Sequence, residues 1–313
     1  MILTALIAAR WVHFVALAVA FGAALAALES RSASAEAAGP RAGFKRWVRS
    51  TLAVSSVLIL LTAAAMLGLT AANLSGSMAG LLDVSMLQVI LQETDFGRVW
   101  AVRLAAAAVL AFLALAGAAQ GRIGSSASMA LASVLLASLA LTGHAAVEGG
   151  ATGWIHRLAD AAHLIAAGVW LGALPPFLHT LHASARSGDA EQAAFTTDRL
   201  VRFHTIGLIA VLTLVATGLV NSWFLVGAPA NLVSTPYGLI LIAKLALFAI
   251  MVALAADNRL RLVPALARSA GEGMGAGGAL RRLRRSVLLE WGLGLAVLAA
   301  VAVLGAIAPA VDA

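Results

Sequence analysis

Seven histidines and seven methionines, with no cysteine, are the side chains in this sequence able to ligate a soft metal ion. Imidazole suits copper, zinc and iron, and thioether sulfur selects Cu(I). The missing cysteine excludes disulfides, thiolate metal sites and cysteine redox chemistry. His13, His144, His156 and His163 fall toward one edge of the apolar segments, where Met66, Met78 and Met86 also lie, and His179, His182 and His204 fall at the other. The expected metal ligands are His13, His163, His144 and Met66, weighed against interhelical hydrogen bonding for the histidines and plain packing for the methionine. Arg103, Lys244 and Asp160 enter apolar segments from the same edge, with Glu148 close by. They read as a polar vestibule, or, for the cations, as side chains snorkelling to headgroups. His179 and His182, three apart after Pro175-Pro176, have a metal-binding spacing but read as solvated residues at the opposite edge.

The elements that must position these groups are membrane helices. Of 313 residues, 62% are apolar and 11% charged, far from the balance of a soluble domain. The apolar residues form blocks of roughly 20, the length that crosses a hydrocarbon core. Eight spans are predicted, at 3–28, 51–72, 99–119, 125–147, 158–178, 203–225, 238–256 and 286–308. The fold class is therefore all-α and polytopic. Sixteen of the 21 basic residues fall on one side of these spans, so that side is cytoplasmic and both termini face the periplasm. The net charge of +7 is explained by topology, with no polar domain to carry a nucleic-acid face.

Between the second and third spans, Leu81, Leu82, Val84, Met86, Leu87, Ile90 and Leu91 form an apolar stripe. This predicts a surface helix that lies on the membrane or caps the bundle. Residues 269–279, rich in Gly and Ala, read as a flexible cytoplasmic linker. Trp11, Trp100, Trp154 and Trp223 fit an outer aromatic belt, and Trp170 reads as packed between helices.

An internal repeat organises the whole. Thr94-Asp-Phe-Gly97 precedes Arg103-Leu104 as Thr235-Pro-Tyr-Gly238 precedes Lys244-Leu245, and His13 to Gly22 matches His163 to Gly172 as His-x8-Gly. Four spans separate each pair, which predicts two parallel four-helix halves, 1–147 and 148–313, with sites at their interface. Chance similarity among Ala/Leu-rich helices is the alternative. His13 and His163 are then expected to share one metal site near the outer face.

No phosphate loop, GxSxG or HExxH element is present, so neither ATP-driven pumping nor hydrolysis is expected and no enzyme activity is assigned. The segments Thr142-Gly-His-Ala, His163 to Leu174, Thr217 to Trp223, Thr235 to Leu245 and Arg285 to Glu290 resemble the CopD family of bacterial copper-resistance inner-membrane proteins. The resemblance implies eight spans and copper movement from periplasm toward cytoplasm, often with a small periplasmic copper-binding partner of the CopC type. The expected function is a copper-handling permease in the bacterial inner membrane, with the copper ion and the lipid bilayer as partners. Two alternatives stay open: a haem-binding membrane oxidoreductase, since paired histidines on facing helices also suit haem iron, and a non-transporting copper sensor or assembly scaffold.

Overall fold

The computed structural model describes residues 1–29, 38–144, 149–271 and 277–312. Glu148 and residues 272–276 of the expected linker lie outside them. The helices are α1 (Ile2–Glu29), α2 (Ala38–Ser75), α3 (Val84–Glu93), α4 (Asp95–Leu115), α5 (Arg122–Ser138), α6 (Gly150–Ser187), α7 (Ala190–Val226), α8 (Asn231–Ser234), α9 (Pro236–Asp257), α10 (Val263–Gly271) and α11 (Gly277–Leu304). No strand occurs among the described residues, and eight helical segments are long and apolar enough to cross a membrane. The fold is an all-α polytopic bundle.

Helix lengths depart from the predicted spans where polar sequence continues a helix. The apolar blocks set the minimum, and Arg, Lys, Glu, Gln and Ala, all good helix formers, extend it. Thus α2, α6 and α7 reach 38, 38 and 37 residues, roughly 55 Å each and well beyond a hydrocarbon core of about 30 Å. The Pro175-Pro176 pair does not end α6, which runs through to Ser187. The fourth span stops short instead: α5 ends at Ser138, and a tight turn over Leu139–Leu141 leads to Thr142 and His144. Where the linker was expected, α10 persists to Gly271 and α11 begins at Gly277.

The segment after α2 packs down on the bundle. Asp83 caps α3 by accepting from the backbone N–H of Ser85 and Met86, and Ile90 is buried against Met66 and Trp100. Trp100 is accordingly 2% exposed, a core residue and no part of a belt. Trp154 and Trp223 are exposed.

The repeated Thr-x-x-Gly motifs take the same form twice. Thr94 and Thr235 are N-caps with φ/ψ of −118°/146° and −117°/149°, and their hydroxyls accept from the N–H of Gly97 at 2.9 Å and Gly238 at 3.0 Å. A Cβ on Gly97 would overlap the carbonyl of Ile90, and one on Gly238 those of Asn231 and Leu232. Each glycine thus lets a short preceding helix fold tightly onto the start of a span. The His-x8-Gly glycines meet each other: a Cβ on Gly22 would overlap the backbone of Gly172, and one on Gly172 that of Ala18 and Gly22. α1 and α6 touch backbone to backbone at that crossing, which joins the two main core clusters.

Candidate functional site

His13 is fully buried on α1, and its Nδ1 lies 2.8 Å from Thr62 Oγ1 of α2. The Thr62 hydroxyl already donates to the Leu58 carbonyl at 2.7 Å. Its hydrogen is spent there, so the Thr62 oxygen accepts and His13 Nδ1–H donates. The lone pair is left on Nε2, which is buried and has no hydrogen-bond partner. This is how a metal-binding imidazole is held: a second group fixes the tautomer and the ring, and the other nitrogen faces the ion. Met66, one turn beyond Thr62 on the same face of α2, is 5% exposed and packs with Leu6 and Ala9 of α1. Met66 therefore stands about one helical turn along α2 from the residue that bonds His13.

Arg103 of α4 lies within electrostatic reach of His13. It is 1% exposed, donates to Ser138 Oγ at 3.1 Å, Ser138 O at 2.8 Å and Thr142 Oγ1 at 2.9 Å, and lies 4.6 Å from the Trp100 ring centroid. Snorkelling is thereby excluded for Arg103, which instead ties α4 to the end of α5. Arg10, one turn before His13, donates to the Gly305 carbonyl at the end of α11.

The second half repeats the pattern. His163 Nδ1 lies 2.9 Å from Thr217 Oγ1, and the Thr217 hydroxyl donates to the Thr213 carbonyl at 2.6 Å. The same reasoning puts the His163 lone pair on Nε2. Here the surroundings are charged. Asn221, one turn beyond Thr217 where Met66 follows Thr62, donates to Asp160 Oδ1 at 3.1 Å. Lys244 lies within electrostatic reach of both Asp160 and His163. His144 bonds through Nε2 to the Leu304 carbonyl at 3.1 Å and meets the Tyr237 ring edge-on. A carbonyl only accepts, so Nε2 of His144 is its protonated nitrogen. His156 is buried and stacked on Phe224 at 4.6 Å.

The expected site residues therefore divide. His13, Met66 and Arg103 belong to one pocket, and His163, Asp160, Lys244 and His144 gather at another. Among the described residues no hydrogen bond, ring contact or charge interaction links His13 to His163. At the opposite edge His179 stacks on Trp47 at 4.6 Å. Sequence reasoning missed Thr62 and Thr217, although Thr-x3-Met and Thr-x3-Asn recur in the second span of each half. It also left Glu290 without a role, and Trp170 Nε1 donates to Glu290 Oε1 at 2.6 Å.

Residues 1–154 match the family described as copper resistance protein D-like, N-terminal domain, and residues 198–304 match copper resistance protein D. Copper resistance protein D of Pseudomonas syringae pv. tomato is 33% identical over 312 residues, covering 98% of this chain and 97% of the relative. The chain belongs to the copper resistance protein D family. Inner membrane protein YebZ of Escherichia coli (strain K12) is 30% identical over 308 residues, 97% of this chain and 98% of that one. Copper transport protein CutJ of Bacillus subtilis (strain 168) is 29% identical over 238 residues, 75% of this chain and 41% of its own length. No solved structure is significantly similar. Within the copper resistance protein D frame, the His13 pocket lies in the N-terminal match and the Thr217 and Lys244 side of the second pocket in the C-terminal one.

Proposed function

We propose that this protein is a copper-handling permease of the bacterial inner membrane, carrying copper from the periplasm toward the cytoplasm. Family membership and the names of the Pseudomonas and Bacillus relatives point to copper as the metal. The observation that carries the assignment to residues is the enclosed, partnerless Nε2 of His13, its lone pair set by the Thr62–Leu58 relay. An unpaired imidazole nitrogen in an apolar interior is costly, and an arriving ion removes that cost. Met66 supplies a soft donor beside it, which favours Cu(I). His163 forms a second station in the other half, and Asp160, Lys244 and His144 make its polar approach. The His13 nitrogen is closed in on all sides, which favours an ion over a macrocycle such as haem. The basic-residue bias supports a periplasmic location for both termini, and a small periplasmic copper carrier of the CopC type is the fitting donor.

Copper stoichiometry of the purified protein, read beside its visible spectrum, tests the assignment. His13→Ala and His163→Ala should each lower bound copper, with no Soret band in the parent. If their losses add in the double mutant the two stations are independent, and if the double resembles the worse single they share one site. Copper binding unchanged in both variants defeats the proposal. Copper accumulation in proteoliposomes separates a permease from a sensor or scaffold. Reporters fused after Ala313 and at Gly275 should signal periplasm and cytoplasm respectively.

A further inference from the structure

A third polar cluster lies away from both histidine pockets, toward the Arg-rich end of α11. Glu290 is 2% exposed. Its two carboxyl oxygens accept from Trp170 Nε1 of α6 at 2.6 Å and from Asn258 Nδ2 at 3.0 Å. By helical rise it sits about 7–8 Å deeper than Arg285, so its level is within the bundle and not at its rim. Asn258 opens a π-helical turn, Asn258–Leu262, that joins α9 to α10. Such turns interrupt an otherwise regular helix and concentrate at functional positions.

Two further polar atoms lie beside the carboxyl group without partners. Asn258 Oδ1 and Ser286 Oγ are both buried and make no hydrogen bond, and Ser286 is one turn before Glu290 on the same face of α11. Buried polar groups are rarely left this way unless water or a proton has business there. The pair also has a built-in alternative. With the amide as it stands, Asn258 donates to a carboxylate. With the amide turned over, Oδ1 faces Glu290 and accepts the proton of a carboxylic acid.

Among the described residues no cation forms an ion pair with Glu290. On its own helix Arg284 and Arg285 are exposed. On the π turn Arg261 pairs with Asp257 at 3.5 Å, while Arg259 donates to the His204 carbonyl of α7 at 3.1 Å. From α6, His163 is occupied with Thr217 and His179 with Trp47; from α9, Lys244 lies within electrostatic reach of Asp160; from α1, Arg10 bonds to Gly305 and His13 to Thr62. Arg268 of α10 bonds to the Pro264 carbonyl. Among the described residues none of these charges forms an ion pair with Glu290.

We infer that Glu290, Asn258 and Trp170 form a proton-binding station, in which the Glu290 carboxyl exchanges a proton with water at the Arg-rich face past Ser286. One O–H bond forms or breaks at the carboxyl oxygen, the proton comes from or returns to that water, and the Asn258 amide turns to suit each state. This station does not depend on the copper reading, and it would give a permease a group through which proton movement couples to transport.

Infrared difference spectra of the full protein in copper-free lipid vesicles, recorded against pH, test it. The expected result is a protonated-carboxyl C=O band that titrates reversibly, shifts in deuterium oxide and is lost in Glu290→Gln. Asn258→Leu and Trp170→Phe, which keep the carboxyl, should move the frequency and the titration midpoint without abolishing the band, so that a poorly folding Glu290→Gln does not decide the matter. A band that survives Glu290→Gln, or a Glu290 that stays in one protonation state throughout the pH range of the folded protein, overturns the inference. So does a band that answers to added copper and not to pH.

Discussion

The two histidine pockets share a frame and differ in filling. In each, a histidine of the half's first span donates to a threonine of its second, and that threonine donates back to the carbonyl four residues earlier. In the first half the next turn brings Met66, and Arg103 is tied down by Ser138 and Thr142. In the second half the same position is Asn221, bonded to Asp160, with Lys244 within electrostatic reach of that carboxylate. Arg10, three residues before His13, has its counterpart in Asp160, three before His163. The first sets a buried arginine and a thioether about its histidine; the second sets a carboxylate, an amide and a lysine about its own. The device that sets the imidazole tautomer is common to both pockets while the neighbouring residues differ, as expected if the two histidines meet the same ion at different stages of hydration.

The largest expected effect strikes the frame that both pockets hang on. Gly22→Leu or Gly172→Leu forces a side chain into a backbone contact, and monodisperse protein should be lost on size exclusion. Even Gly22→Ala should cost about 1–3 kcal/mol, as overpacking does, and lower Tm. Gly292→Ala, which meets open space, should leave Tm as it is or raise it.

Next come the threonines. Thr62→Ala and Thr217→Ala should each weaken copper affinity by about 10- to 100-fold, the usual effect of losing an outer-shell partner, measured by competition with a Cu(I) chelator. An effect confined to Thr62→Ala would make the first half the sole copper site and break the symmetry of the comparison. A smaller effect is expected from exchanging the divergent residues. Met66→Asn should reduce the preference for Cu(I) over Zn(II), and Asn221→Met should increase it. Equal selectivity in all three proteins would mean that the fourth-residue difference is packing alone.

The smallest effect lies outside both pockets, on the cap over the first. The Ser85 hydroxyl, and then the Met86 N–H, hold the Asp83 carboxyl below its ordinary value. A carboxyl depressed in the folded state stabilises fully above its unfolded pKa, and that contribution fades as pH falls through the folded one. Amide exchange at the start of α3 should therefore rise below about pH 4. Asp83→Asn, still a capping residue, should remove that pH dependence.

Much of this was written in the sequence. Eight apolar blocks, the repeated His-x8-Gly and Thr-x-x-Gly patterns, and the outer stripe around Ile90 each correspond to an element or contact, because hydrocarbon leaves a helix few options. The partners were less legible. Thr62 and Thr217 are ordinary residues in Ala/Leu-rich helices, and only the direction of their hydroxyl bonds reveals what they do for the histidines. Trp100 reads as an interfacial aromatic until α3 is seen folded over it. His13 and His163 share a motif, which suggested a shared site, yet each side chain turns to its own half's second span. A helical repeat gives depth and register along the axis; rotation about that axis is set by packing against neighbours.

The crossing of Gly22 and Gly172 has a mechanical consequence. On the repeat reading, a residue that touches its own counterpart lies on the axis relating the halves, and here two glycines bring the backbones together with Phe21 packed beside them over Gly168. Such a joint would act as a fulcrum for one half rocking against the other. The imidazoles lie nine residues away along their helices, a lever arm of about 13–14 Å. Rocking one half by about 10° would swing its histidine through about 2 Å, comparable to a metal–nitrogen bond, while the joint itself stayed in place.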